Sequence, residues 1–263
     1  MPRANRHHIP GQVWHITHRC HQGGFLFKFA KDRKCWVDWL FEAKKRFGLS
    51  ILNYIVTSNH VHLLVVDDES NAISKSLQLI AGRTAQSYNK RKGRKGAYWE
   101  DRYHATAIES GEHLMRCLVY IDLNMVRAGV VSHPSEWIHS GYHEIQKAPL
   151  RYALIDRKRL IELCGVKNEE ELKKNHQEWI EQAILDDVLK RQPAWTEAVA
   201  TGSEGFVMQL KQALGVNVQG RKVQQDNDAY MLREPSSSYI THSSPEKVGL
   251  RTDNEVYFDV NAG

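Results

Sequence analysis

The sequence predicts an α+β fold: a ferredoxin-like βαββαβ antiparallel sheet with helices on one face, followed by a small helical C-terminal region. Three patterns predict it. Alternating runs and amphipathic stretches follow one another in the order strand, helix, strand, strand, helix, strand. Two of the strand-like runs are separated only by a short polar turn, the mark of an antiparallel pair. Beyond Pro149 helical spacing takes over.

Residues 12–18, QVWHITH, alternate and read as the first strand. Residues 31–47 place apolar side chains at 36, 37, 40, 41 and 47, the spacing of an amphipathic helix, and Gly48 is a stop signal. Trp36 and Trp39 on that helix read as core or boundary packing. Residues 49–56 and 60–66, LSILNYIV and HVHLLVV, are β-rich and joined by Thr57-Ser58-Asn59. Residues 71–91 read as a helix with Leu77, Ile80, Ala81 and Tyr88 on its apolar side. Residues 97–109 read as a strand, and 112–126 as a helix ending near Gly129. Residues 156–164, 169–191, 195–200 and 205–215 suggest further helices. From about 216 the chain is rich in Gln, Ser, Asn and Asp and reads as an extended or disordered tail. The expected division is therefore 1–150, 151–215 and 216–263.

Charge separates the first unit from the rest. The 263-residue chain has a net charge of +5, but residues 1–150 carry +8 and residues 151–263 carry −3. Twelve of the 14 histidines also lie in the first part, which is the part suited to a polyanion. The longest apolar stretches, such as LLVV at 63–66, fall far short of a membrane span. The basic N-terminus has no apolar core behind it, so no secretory signal is expected. Four scattered cysteines without a CxxC pair fit reduced thiols in a cytosolic protein and argue against a disulfide framework or a structural zinc site. No phosphate-binding P-loop or dinucleotide fingerprint is present, and no Ser-His-Asp order stands out.

Three constellations could carry chemistry. The first is Asn59-His60-Val61-His62. Residues two apart on a strand point to one face, about 6–7 Å apart at Cα, so the two imidazoles can converge on one metal ion. The plain alternative is a pair of histidines on a half-exposed sheet face. The second is the helix at 112–126. Leu114, Cys117, Leu118, Ile121 and Met125 form its apolar stripe, and His113, Arg116, Tyr120, Asn124 and Arg127 form the opposite row. Most helical tyrosines are core residues. Tyr120, on the polar row with arginines on either side, is instead set where an exposed nucleophilic phenol would need to be.

The third constellation is a basic run. Between Ser70 and Trp99 there are seven cations (Lys75, Arg83, Lys90, Arg91, Lys92, Arg94 and Lys95) and no carboxylate. Tyr88, Tyr98 and Trp99 are interleaved with its later part. Cations neutralise phosphates and aromatic faces stack on unpaired bases, whereas the alternative is a solvated loop. Arg3, Arg6, His7 and His8 form a basic arm that could reach a groove or a hairpin stem. His15, His18 and His21 read as surface or supporting residues, since His15 and His18 fall on opposite faces of a strand.

These segments resemble a known family. PRANRHHIPGQVWHITHRC, LNYIVTSNHVHLLV, YWEDRYHATAIES and YIDLNMVRAGVV, together spanning about residues 2–131, are similar to the single-tyrosine HUH transposases, most closely the REP-associated tyrosine transposases of bacteria. The shared signature is His-hydrophobic-His on a strand followed about 60 residues later by Tyr-x-x-x-Asn on a helix. WTEAVATGSEGFV near 195–207 also looks like the C-terminal region of longer members. Two departures stand out. Thr57-Ser58-Asn59-His60 replaces Met-Pro-Asn-His, and Asn124-Met125-Val126-Arg127 replaces Asn-Pro-Val-Arg.

The resemblance implies that residues 1–150 are a catalytic domain. His60 and His62 would be metal ligands, with the amide oxygen of Asn124 a third, and Tyr120 would be the nucleophile. The metal would be Mg²⁺ or Mn²⁺, since two imidazoles and an amide leave positions open for phosphate oxygens and water. The substrate would be single-stranded or hairpin DNA, cut through a 5′-phosphotyrosine intermediate and rejoined, with Arg116 or Arg127 neutralising the phosphate. The protein would be a monomer or homodimer in the cytoplasm, associated with the nucleoid and not with a membrane. Two rivals remain: a domesticated protein that binds hairpins without cutting, and a barrel-type metal hydrolase. The latter needs about eight strands with alternating helices, and the sequence offers four.

Overall fold

The computed structural model describes residues 9, 11–68, 70–186, 192–226 and 229–233. Its first part runs β1 (Val13–Arg19), α1 (Ala30–Phe47), β2 (Ser50–Val56), β3 (His60–Val66), α2 (Ala72–Lys92) and β4 (His104–Ile108). All pairings in this block are antiparallel, in the order β2-β3-β1-β4. This is the ferredoxin-like βαββαβ arrangement of an α+β protein. Gly48 ends α1 in the left-handed conformation, its N–H returning to the Lys44 carbonyl, as a C-terminal glycine does without the cost a Cβ brings.

The alternation of side chains along the strands divides the core in two. Trp14 and Ile16 of β1 and Val61, Leu63 and Val65 of β3 pack against α1 and α2 through Trp36, Leu40, Leu77 and Ile80. Val13, Leu64 and Val66 point the other way, into a second cluster with Leu114, Cys117, Leu118 and Ile121. The expected face of helices is thus formed by α1 and α2, and the opposite face is covered as well. There lie α3 (Glu112–Asp122), α4 (Asn124–Arg127), α5 (Tyr142–Gln146), α6 (Arg157–Cys164) and α7 (Glu169–Leu185). Period two puts His60 and His62 on this second face, towards α3.

Several sequence expectations are corrected. The strand read over 97–109 is confined to His104–Ile108, because the exposed charged residues 100–102 interrupt it and Trp99 keeps only an isolated bridge to Cys20. The helix read over 112–126 changes geometry at Leu123 (φ −75°, ψ 2°), which separates α3 from α4. Its polar row is not a solvated face: Tyr120 is buried and His113, Arg116, Asn124 and Arg127 are half-buried, while α6 and α7 pack against α3 and bury Met115 and Val119 as well.

The C-terminal region also adds strands to its helices. After α8 (Pro193–Thr196), β5 (Ala200–Gly202) pairs parallel with β4, and α9 (Glu204–Leu214) follows. Then β6 (Lys222–Asp226) and β7 (Ala229–Arg233) form an antiparallel pair whose β7 joins β5, giving one seven-stranded sheet, β2-β3-β1-β4-β5-β7-β6. The stretch read as a tail from 216 therefore includes sheet, anchored by the buried Met231 and Leu232. Residues 234–263 of that reading lie outside the described residues. No helix among the described residues is long and apolar enough to cross a membrane.

Candidate active site

The hairpin β2–β3 carries the two histidines to one end of the sheet. The turn is held by Thr57, whose hydroxyl donates to the His60 carbonyl at 2.8 Å and accepts from the His60 and Asn59 N–H groups at 3.1 and 3.3 Å. Thr57 stands where the resembling family has methionine. Here that departure gives the turn its own internal brace. His60 Nδ1 is 2.7 Å from Asn59 Oδ1 and 3.0 Å from Thr57 Oγ1.

His62 is 2% exposed and held on both sides. Its Nδ1 lies 2.8 Å from His15 Nε2, and its Nε2 lies 2.8 Å from the Asn124 amide nitrogen. The His60 and His62 rings are 4.9 Å apart between centres and nearly perpendicular. The buried His15 on β1 lies edge to edge with His62, ring centres 5.0 Å apart and planes within 14°, and its Nδ1 faces the Trp195 carbonyl at 2.8 Å. Burial pulls the His15 pKa down to about 3, keeping the ring neutral; the Trp195 hydrogen bond opposes this only partly.

Helix α3 brings Tyr120 to the same place. Its ring centre is 6.0 Å from that of His62 and 6.2 Å from that of His15. The Trp195 ring lies 6.2 Å from it on another side, and the Arg127 guanidinium carbon sits 4.0 Å from its centre. Arg127 also donates to the Tyr120 backbone carbonyl. Burial lowers the Arg127 pKa, while the charge interaction and hydrogen bond with Tyr120 act to raise it. Tyr120 is 6% exposed, not the exposed phenol the helix pattern predicts, because Arg127 and Trp195 cover it.

His60, His62, Tyr120, Asn124 and Arg127 line one open cavity of about 440 Å³, together with Thr17, His18, Arg19, Asn59, Ala128 and Thr196. All come from a single chain. Among the described residues no group of three or more His, Cys, Asp or Glu side chains is placed to hold a metal. The donors available are therefore two imidazoles and an amide. In the structure Asn124 offers Nδ2 to His62; turning the amide over would bring Oδ1 to that position.

The basic residues do not all gather here. Of the arginines on either side of Tyr120, Arg127 lines the cavity, whereas Arg116 pairs with Glu112 one turn back on its own helix. Lys90, Arg91 and Lys92 occupy the last turn of α2, where cations also complement the helix dipole. Arg91 is tied to the buried Asp32, Arg94 closes the following turn on the Ala97 carbonyl, and Lys95 is exposed. Arg83 lies over Trp39. Tyr98 is a core residue, not a surface for bases, since it packs beneath Phe27. Trp99 lies 3.9 Å from His18 in a stack that joins the basic turn to the cavity rim. Arg3 and Arg6 lie outside the described residues.

Sequence reasoning missed Thr57, Trp195 and Thr196 as parts of this site, and of its two readings of His15, surface or supporting, the fully buried ring against His62 fits the second. Their contribution is made through contacts between distant segments. A polar residue at an otherwise apolar, inward position of β1 was the signal available for His15.

A tyrosine, two strand histidines and a helical asparagine thus line one cavity on a ferredoxin-like sheet. By sequence, residues 15–124 match the family described as Transposase IS200 like. That stretch runs from His15 to Asn124 and includes the four residues named above. No curated protein matches the chain. Two solved structures resemble it. One is a REP-associated tyrosine transposase bound to a REP hairpin, 20% identical over 59% of this chain and 94% of its own, with a TM-score of 0.47. The other is a candidate transposase from Deinococcus radiodurans R1, 14% identical over 48% of this chain and 95% of its own, with a TM-score of 0.33.

Proposed function

We infer that this protein is a transposase, a metal-dependent single-stranded DNA endonuclease and strand transferase of the single-tyrosine HUH class. The observation that carries this reading is the convergence of the Tyr120 phenol and the His60–His62 pair on one cavity, with Arg127 against the phenol. The Tyr120 oxygen attacks the scissile phosphorus in line. The new O–P bond replaces the bond to the 3′ oxygen, which leaves as a 3′-hydroxyl after taking up a proton. The DNA 5′ end is then held as a phosphotyrosine. Attack by a second strand's 3′-hydroxyl reverses the exchange, and no nucleotide cofactor is consumed because a phosphodiester is kept throughout.

Arg127 offers charge to the phenol oxygen and to the phosphate as negative charge builds there. His60 and His62 through Nε2, and Asn124 through its amide oxygen, would hold Mg²⁺ or Mn²⁺. When bound, such an ion polarises the scissile phosphate and orients it. The donor set fits: two neutral nitrogens and one oxygen leave coordination positions for phosphate and water. The substrate proposed is single-stranded DNA bearing a hairpin or imperfect palindrome, in keeping with the family resemblance. In this reading the nucleophile and the proposed ligands are supplied by one chain, which supports cleavage by a monomer.

The test is a labelled single-stranded hairpin oligonucleotide incubated with protein and Mn²⁺, then denatured in SDS. The expected result is a covalent adduct in the wild type that chelator abolishes and Tyr120→Phe lacks. Hairpin binding with no adduct under any metal would move the protein to the domesticated, non-cutting alternative.

A further inference from the structure

His60 and His62 sit in different surroundings, yet the Nδ1 of each closes a short chain of hydrogen bonds that ends on a backbone carbonyl. On the His62 side, His15 Nδ1 lies 2.8 Å from the Trp195 carbonyl oxygen and His15 Nε2 lies 2.8 Å from His62 Nδ1. A carbonyl can only accept, so the His15 proton is on Nδ1. The ring is wholly buried, which disfavours a second proton, so its Nε2 is an acceptor. His62 must then donate from Nδ1. Its lone pair is on Nε2, where the Asn124 amide nitrogen meets it.

The His60 side reaches the same result by other residues. Asn59 Nδ2 donates to the Gly23 carbonyl at 3.1 Å, which turns Oδ1 towards His60 Nδ1 at 2.7 Å. The Thr57 hydroxyl, also near that nitrogen, gives its own proton to the His60 carbonyl. Both neighbours of Nδ1 are acceptors, so His60 too carries its proton there and its lone pair on Nε2.

We propose that His15 and Asn59 are positioning residues that lock His62 and His60 in the Nε2-coordinating tautomer before any metal arrives, with the Trp195 and Gly23 carbonyls as fixed ends of the two relays. This rests on the reading of His60 and His62 as metal ligands. A solvated imidazole favours its proton on Nε2, the wrong nitrogen for this site, and each relay removes that option. Partners of this kind commonly tune a metal-binding histidine. One relay also reaches outside the residues matched to the transposase family: α8 supplies the carbonyl that sets a β3 histidine. The C-terminal segment is thereby part of how the site is made.

The experiment reads tautomers directly, by two-bond ¹H–¹⁵N correlation spectra of the metal-free, full-length protein, alongside Mn²⁺ titration followed by electron paramagnetic resonance. In the wild type both histidines should show Nδ1–H. His15→Phe should release His62 from that state and leave His60 unchanged, and Asn59→Ala should do the reverse. Asn59→Asp, which keeps an acceptor beside His60, should restore the His60 tautomer. Mn²⁺ affinity should drop about 10–100-fold in His15→Phe and Asn59→Ala. If His15→Phe does not fold, the wild-type spectrum and the two Asn59 variants decide. Nε2–H on either histidine of the wild type, or variants that leave the tautomers unmoved, would overturn the proposal. The inferred tautomers without any Mn²⁺ binding would uphold the relays and remove the metal reading instead. Mn²⁺ binding with Nε2–H rings would do the opposite.

Discussion

The Arg127 guanidinium carbon lies 4.0 Å from the centre of the Tyr120 ring, and the same group donates to the Tyr120 backbone carbonyl. Phenol and cation are thus paired before substrate arrives. Arg127→Ala removes the charge that meets the developing phenolate and phosphate. Cleavage is expected to slow about 10²–10³-fold, the usual cost of deleting one such donor. Arg127→Lys should recover little of this, because an ammonium cannot both lie over the ring and reach the backbone carbonyl as the planar fork does. Single-turnover cleavage rates check this. A rate within threefold of wild type in Arg127→Ala would remove Arg127 from the mechanism.

Tyr120→Phe deletes one oxygen from a buried ring and keeps the packing against Trp195 and His15. Adduct formation should fall by on the order of 10³ or more, since loss of a nucleophile removes the covalent route entirely. Hairpin affinity, measured by fluorescence anisotropy, should stay close to wild type. Adduct persisting in this variant would place the nucleophile elsewhere.

How much of this was legible in the sequence depends on the length scale. The βαββαβ order could be read because Val13 to His18, Leu49 to Val56 and His60 to Val66 alternate or run apolar within a few residues, and period is a local property. His60, His62, Tyr120 and Asn124 could be picked out by spacing along a strand and a helix. What could not be read is what covers them. The burial of Tyr120 depends on Trp195, 75 positions away, and that of Met115 and Val119 depends on α6 and α7. The strands β6 and β7 were hidden because their apolar content is small; only their pairing with β5 gives Met231 and Leu232 a core to enter.

A second buried network joins the C-terminal helices to the helix bearing Tyr120. His176 of α7 donates from Nε2 to Asp122 Oδ2 at 2.8 Å, both side chains fully buried. Asn53 donates to the other carboxylate oxygen at 3.1 Å, and Gln146 donates to His176 Nδ1 at 2.9 Å. His176→Leu leaves the Asp122 carboxylate without its main partner. A loss of about 3 kcal/mol or more in unfolding free energy is expected from breaking one side of such a pair. Urea denaturation measures it. A change below about 1 kcal/mol would mean that Asp122 finds water or another donor in the gap.

Acid should weaken the fold through His15. Its pKa is about 3 in the folded chain against 6.5 when unperturbed, a depressed value. Between these two values the unfolded chain binds a proton that the native chain does not, so stability rises with pH across that window. Read downwards, stability starts to fall as pH drops through 6.5 and this contribution levels off near 3. The limiting slope for one such group is about 1.4 kcal/mol per pH unit. His139, lowered to about 4 by burial, acts in the same direction. Denaturation series between pH 7 and 4.5 should show the decline, and His15→Gln should make it shallower. A flat profile in the wild type would show that His15 takes up its proton as readily in the folded chain as in the unfolded one.

Binding to single-stranded DNA should depend steeply on salt, and the basic residues near the end of α2 should not contribute equally. Each phosphate neutralised adds about 0.7 to the magnitude of the slope of log K against log salt for a single strand. Lys90, Lys92 and Lys95 are exposed, so replacing any of them by glutamine should lower the slope by roughly that amount if it meets a phosphate. Arg91 differs, because its guanidinium is committed to the buried Asp32. Arg91→Gln should leave the salt slope nearly unchanged while destabilising the contact between α1 and α2, which anisotropy titrations at several salt concentrations, paired with thermal denaturation, will separate. An equal loss of slope for Arg91→Gln and Lys92→Gln would show that DNA draws Arg91 away from Asp32.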